Sequence, residues 1–205
     1  MTNFNDVVSQ FRIEGTVESV SPIGNGLINE TLRVKTVDAN TPDYILQRIN
    51  NAIFTDVDLL QHNIELVTDH IRHKLMEKGE TDIERKCLRF VQAKDGKTYY
   101  KDADNLYWRV SVFIPNAVTK EEVNPESAFC CGETFGNFQN MLVDLKEPLG
   151  ETIPDFHNME LRLRQLREAV SADKAGRVAS VKDILAELER DADEMCLAER
   201  LYRDG

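Results

Sequence analysis

Apolar positions along this chain follow two periods, and the change between them divides it. An opening helical turn or two over residues 4–11 leads into a strand-like segment, Arg12 to Val20. The link SPIGNGLIN comes next, and in ETLRVKTV the residues Leu32, Val34 and Thr36 alternate with Arg33, Lys35 and Val37, so two strands are expected around a glycine-bearing loop. DANTP marks a turn. In YILQRI, Tyr44, Leu46 and Arg48 share one face of a third strand while Ile45, Gln47 and Ile49 share the other.

From Asp56 to about Lys78 the repeat lengthens to three and four. Val57, Leu60, Ile64, Val67, Ile71 and Leu75 form the stripe of a long amphipathic helix that Gly79 stops. Strands return in CLRFVQ and KTYY around the hairpin signal AKDG, and LYWRVSVFI alternates Leu106, Trp108, Val110, Val112 and Ile114 against Tyr107, Arg109, Ser111 and Phe113. Such alternation indicates an antiparallel sheet with one face packed, and the long helix is the natural cover. Pro115 ends the last strand, because it lacks a backbone donor and restricts its predecessor. Beyond it the seams of residues 126–145, 157–170 and 181–195 are helical. The expected fold is therefore α+β, with a strand-rich part over residues 1–115 and a helical part over residues 116–205.

Composition narrows the functional classes. A formal net charge of -11 repels phosphodiester backbones and anionic membrane surfaces, which argues against nucleic-acid and membrane partners. No stretch approaches the roughly 20 apolar residues that cross a bilayer, and MTNFNDVVSQFRIEG lacks the basic start and apolar run of a signal peptide. Cys87, Cys130, Cys131 and Cys196 have neither zinc-site spacing nor the density of a disulfide scaffold. Reduced thiols in the cytoplasm are expected. His70 and His73 at i,i+3 lack the companions of a metal site, and no serine or cysteine sits in a nucleophile motif, so no catalytic or metal residue is assigned.

The order of sheet, long helix and proline-ended strand resembles the amino-terminal lobe of the protein-kinase-like fold. GNGLINETLRV, YILQRIN with the following NAIFTDVDLLQHNI, YWRVSVFIPNAVT and TIPDFHNMELRLRQL resemble the phosphotransferase family of aminoglycoside and choline kinases, especially bacterial N-acetylhexosamine 1-kinases. The resemblance implies ATP-dependent phosphorylation of a sugar hydroxyl with Mg2+ bridging the phosphates. It also implies a loop of Gly24, Asn25 and Gly26 over the nucleotide, with Asn29 part of the loop's signature. Spacing alone favours a plain hairpin loop, and this is neither a Walker A loop nor a dinucleotide fingerprint.

Arg48 lies among apolar strand neighbours, and a buried guanidinium is costly unless it meets a carboxylate or a phosphate. By the resemblance it takes the place of the strand base that touches the phosphates, with Glu65 of the long helix as its ion-pair partner, although an Arg48 that snorkels out at the sheet edge and a solvated Glu65 use the same residues. Phe113, Ile114, Pro115 and Asn116 would form the hinge that receives adenine, although a core strand ended by proline uses the same residues. Asp155, His157, Asn158 and residues 132–137 are sugar-side neighbours in the same sense.

The histidine-glycine-aspartate type catalytic loop and the metal-binding aspartate of such enzymes do not follow. The sequence ends instead in DILAELERDADEMCLAERLYRDG, a charged amphipathic helix and tail. The expectation is an amino-terminal kinase fragment whose Mg2+ ligands lie elsewhere. The alternative is a noncatalytic interaction module that self-associates or docks a partner through its terminal helices.

Overall fold

A computed structural model describes residues 3–24, 26, 28–119 and 122–204. In chain order the elements are α1 (Phe4–Val8), β1 (Val17–Pro22), β2 (Glu30–Thr36), β3 (Tyr44–Ile49), α2 (Val57–Glu77), α3 (Ile83–Lys86), β4 (Phe90–Val91), β5 (Tyr100–Lys101), β6 (Tyr107–Val112), α4 (Pro125–Leu142), α5 (Met159–Ala172), α6 (Lys182–Met195) and α7 (Leu197–Asp204). The architecture is α+β, an open antiparallel sheet ordered β1-β2-β3-β6-β4 with β5 also pairing β6. Packing divides the chain into two units, Met1–Thr152 and Ile153–Gly205. Among the described residues no helix is long and apolar enough to cross a membrane.

Alternation sorts the sheet's side chains onto two unlike faces. Leu32 and Val34 of β2, Tyr44 and Leu46 of β3, and Trp108 and Val110 of β6 are all buried and form the core with Val7, Val8 and Phe11 from the α1 segment. Burying each large apolar side chain contributes about 1.5–3 kcal/mol, so Leu46→Ala is expected to cost about 2–5 kcal/mol. Trp108 meets the edge of Phe4, and its Nε1–H donates to Asp102 Oδ2 at 2.8 Å, which satisfies the one polar atom it buries. The apolar face therefore packs on the short α1. The long helix α2, expected to cover it, lies over the opposite face.

There α2 makes smaller apolar contacts. Val57 and Leu60 meet Ile49, Tyr99 and Tyr107, while Ile71 and Leu75 meet Cys87, Met141 and Leu142. Its ends are set by local chemistry. Asp56 accepts from the Leu59 N–H at 2.9 Å, and Gly79 at φ +70 turns the chain left-handed so that Gly79 and Glu80 donate to Met76 and Leu75.

Several strands are shorter than the alternation predicts, and KTYY contributes only Tyr100 to β5, which pairs with β6 rather than with CLRFVQ. CLRFVQ pairs with β6 only at Phe90 and Val91, and its next residues turn to the amino-terminal segment: Arg12 N–H donates to Gln92 and Lys94 N–H to Gln10. The same exchange keeps residues 10–12 out of β1, which begins at Val17 rather than Arg12. The short α3 preceding β4 carries no periodic signal of its own.

In the second unit, Leu163 of α5 packs with Ala192 of α6, Cys196 and Met159. Arg167 grips both carboxylate oxygens of Glu189 at 2.7–3.2 Å. Asn158 caps α5 by accepting from the Leu161 N–H and donates to Asp155. His157 stacks edge-on against Phe156 at 4.7 Å.

Candidate functional site

The face beneath α2 holds the polar residues that the other face excludes. Gln47 on β3 lies directly across from Arg109 on β6. Arg109 donates from Nε and Nη2 to Gln47 Oε1 at 2.9 and 2.6 Å, and from Nη1 to Gln61 Oε1 of α2 at 3.2 Å. Gln61, only 2% exposed, in turn donates to the carbonyl and hydroxyl oxygens of Thr98, whose hydroxyl donates to Glu65. At the other end Gln47 donates to Thr31 Oγ1 at 3.0 Å. One hydrogen-bonded chain thus runs from β2 through β3 and β6 to α2.

Arg109 is its unusual member. Among the described residues no carboxylate lies within ion-pair distance of it, and the ring of Phe90 lies 5.6 Å from the guanidinium carbon. Burial pulls its guanidinium down to about 10. Neutral amides hold the group without neutralising it, in a chain of net charge -11.

Arg48 is elsewhere. Its alternation with Tyr44 and Leu46 puts it on the α1 side of the sheet, where it pairs with Glu30 across the strand at 2.9 Å, both side chains 43% exposed. It does not meet Glu65, because α2 covers the other face. The acidic side chain of α2 is linked to a strand base all the same, through Thr98 and Gln61 to Arg109.

The glycine loop is accounted for by its own turn. Gly24 sits at φ +70, and a Cβ at Gly26 would lie 2.7 Å from the Asn29 carbonyl oxygen. Asn25 lies outside the described residues. Asn29 accepts from the Asn50 N–H at 2.9 Å, and the Asn50 side chain donates to Ile28 at 3.2 Å, which ties the loop to the end of β3. The two asparagines of GNGLIN and YILQRIN are therefore parts of one contact, and Asn50 was not singled out from sequence.

At the opposite end of the sheet, Phe113 donates its N–H to Asp43 and lies under Arg33 at 4.3 Å. Ile114 is half-buried, and Asn116 at φ +59 takes the left-handed position of a turn begun by Pro115. The loop and this turn thus flank the face that carries Gln47 and Arg109.

Helix α4 and the segment after it are held to α2 by polar contacts. Lys74 donates to Met141 O and to Asp144, His70 meets the same pair, and His62 meets Glu147 at 3.0 Å. Asn63 exchanges two hydrogen bonds with the Gly150 backbone at 2.7 and 3.0 Å. Gly150 packs so closely on Leu59 that a Cβ would overlap it. Among the described residues no group of three or more histidine, cysteine, aspartate or glutamate side chains gathers as a metal site. No protein-family model matches the sequence.

Proposed function

We propose that this chain carries the nucleotide-binding part of an ATP-dependent cytoplasmic phosphotransferase acting on a sugar hydroxyl, an N-acetylhexosamine by the family resemblance. The observation that supports this most is the Arg109 guanidinium, a cation on the α2 side of the sheet that no carboxylate pairs among the described residues. A nucleotide would lie with its adenine toward Phe113 and Ile114 and its phosphates toward Arg109, beneath the loop that includes Gly24, Gly26 and Asn29. Gln47 and Gln61 fix the guanidinium's orientation, and Glu65 holds Gln61 in place through Thr98. Magnesium would arrive with the nucleotide, since the described residues offer no acidic cluster for it, and no step is assigned to it. No residue here is given a catalytic role.

Titration calorimetry with ATP tests the proposal. Arg109→Met is expected to weaken binding at least about tenfold, the worth of a charge-assisted hydrogen bond, while Arg48→Met changes it less than about twofold. Undetectable binding to the unmodified chain, or a loss on Arg48→Met instead, contradicts it.

A second proposal, a noncatalytic interaction module, is favoured by apolar residues open on the last helices: Ile184 is 60% exposed, Leu201 63% and Tyr202 92%. Light scattering that shows a monomer at all concentrations argues against self-association through them.

A further inference from the structure

Between α2, the β4–β6 pair and α4 lies an open cavity of about 650 Å³, inside the range of about 300–1,000 Å³ usual for small-molecule sites. Its walls are largely apolar, with Ile64 and Val67 from α2, Phe90 from β4, and Phe138 and Met141 from α4, between neutral polar side chains such as Asn63 and Thr134. Arg109 supplies its charged end. The chain has 36 acidic residues against 25 basic, yet among the described residues none that lines this cavity is acidic. Lys86, the other basic residue there, is committed to Glu80 at 2.5 Å.

Chemistry limits what can occupy such a space. A guanidinium has five N–H donors, and Gln47 and Gln61 take three from Arg109. A wholly apolar guest would bury the cation further with no anion beside it. The described lining holds no second uncommitted cation, so the part of a ligand that fills the cavity beyond Arg109 is apolar rather than charged. The complementary ligand has one anionic head and an apolar body.

We infer that this cavity binds an amphiphilic carboxylate, of the class of medium-chain fatty acids or aryl carboxylates. The carboxylate takes the two remaining N–H groups of Arg109, and the apolar body lies between α2 and α4. The site goes beyond the nucleotide proposal and stands without it. Where both ligands bind, they compete for one guanidinium.

The test uses decanoate, below its micellar concentration, titrated calorimetrically into the full chain without nucleotide. One saturable site is expected, weakened at least about tenfold by Arg109→Met and several-fold by Phe138→Ser, with decanol bound more weakly than decanoate. Phe138 is 39% exposed on a surface helix, so its variant keeps the test decisive if Arg109→Met does not fold. No saturable site, equal binding of decanol and decanoate, or indifference to both substitutions overturns the inference. Decanoate binding without ATP binding removes only the nucleotide proposal, and ATP binding without decanoate binding removes only this one.

Discussion

Replacing Arg109 by methionine separates a cation kept for a ligand from one that braces the fold. The substitution keeps an unbranched apolar stem and removes three donated hydrogen bonds. Gln61 Oε1, on a residue 2% exposed, loses its donor at about 1–3 kcal/mol. Gln47 is half-buried and water can replace part of its loss, so about 1 kcal/mol is assigned there. Against this stands the burial of the charge itself: a guanidinium pulled from its ordinary value down to about 10 carries roughly 3 kcal/mol of unfavourable desolvation, which the variant no longer bears. The two sides nearly cancel, and urea unfolding of Arg109→Met is expected within about 1 kcal/mol of the unmodified chain. Gln61→Leu keeps the cation while removing an acceptor from it and a donor from Thr98, and is expected to cost about 2–4 kcal/mol. A loss of about 3–5 kcal/mol from Arg109→Met, of the size seen when a buried ion pair is broken, would make the guanidinium a structural cross-link and refute the reasoning.

Two further outcomes follow from other groups. Burial would raise the Asp43 carboxyl, but hydrogen bonds from the Thr36 N–H and Arg33, with the charge of Arg33, hold it below its usual 3.8. Near that value the unfolded chain therefore binds more protons than the folded one. The stabilisation is complete above pH 4–5 and is lost as pH falls through the lowered folded value. Asp43→Asn is expected to cost about 2 kcal/mol at pH 7, and the gap to the unmodified chain should shrink below about pH 4; a gap that does not change with pH contradicts it. Among the four free cysteines, burial raises the Cys87 thiol and encloses Cys196, while Cys130 and Cys131 are exposed on α4. Ellman's reagent at pH 8 should find two fast thiols, with the other two reacting only on unfolding. Fast reaction of Cys87 would show that α2 and α4 do not cover it.

The elements were legible where local chemistry alone decides them. Asp56 and Gly79 bracket α2 within two residues of the observed helix, and YILQRI is β3 residue for residue. Alternation also gave the two side-chain sets of the sheet. It did not tell which helix covers which set, because both α1 and α2 offer apolar stripes and the choice is made by tertiary packing. That single ambiguity misplaced Arg48. Its neighbours Tyr44 and Leu46 mark the apolar face, whereas a base meant to meet α2 belongs on the face of Gln47. The signal for Arg109 was present in LYWRVSVFI, as the one charge opposite Trp108 and Val110 in a strand with partners on both sides. Its pairing with Gln47 depends on strand register, and its link to Glu65 depends on Thr98 from a distant hairpin, so neither is visible in linear spacing. The shortening of β4 has the same origin, since Gln92 and Lys94 leave β6 for Gln10 and Arg12.

The central claim is that the ligand-facing cation of this fold is Arg109 and that Arg48 is a surface ion pair. Nitrogen-15 spectra of the arginine side chains, recorded while ATP is added, address it directly. The account predicts that the Nε–H resonance assigned through Arg109→Met moves with saturation while that of Arg48 stays in place. Movement of Arg48 with Arg109 unchanged, or no movement in either at saturating nucleotide, would contradict it.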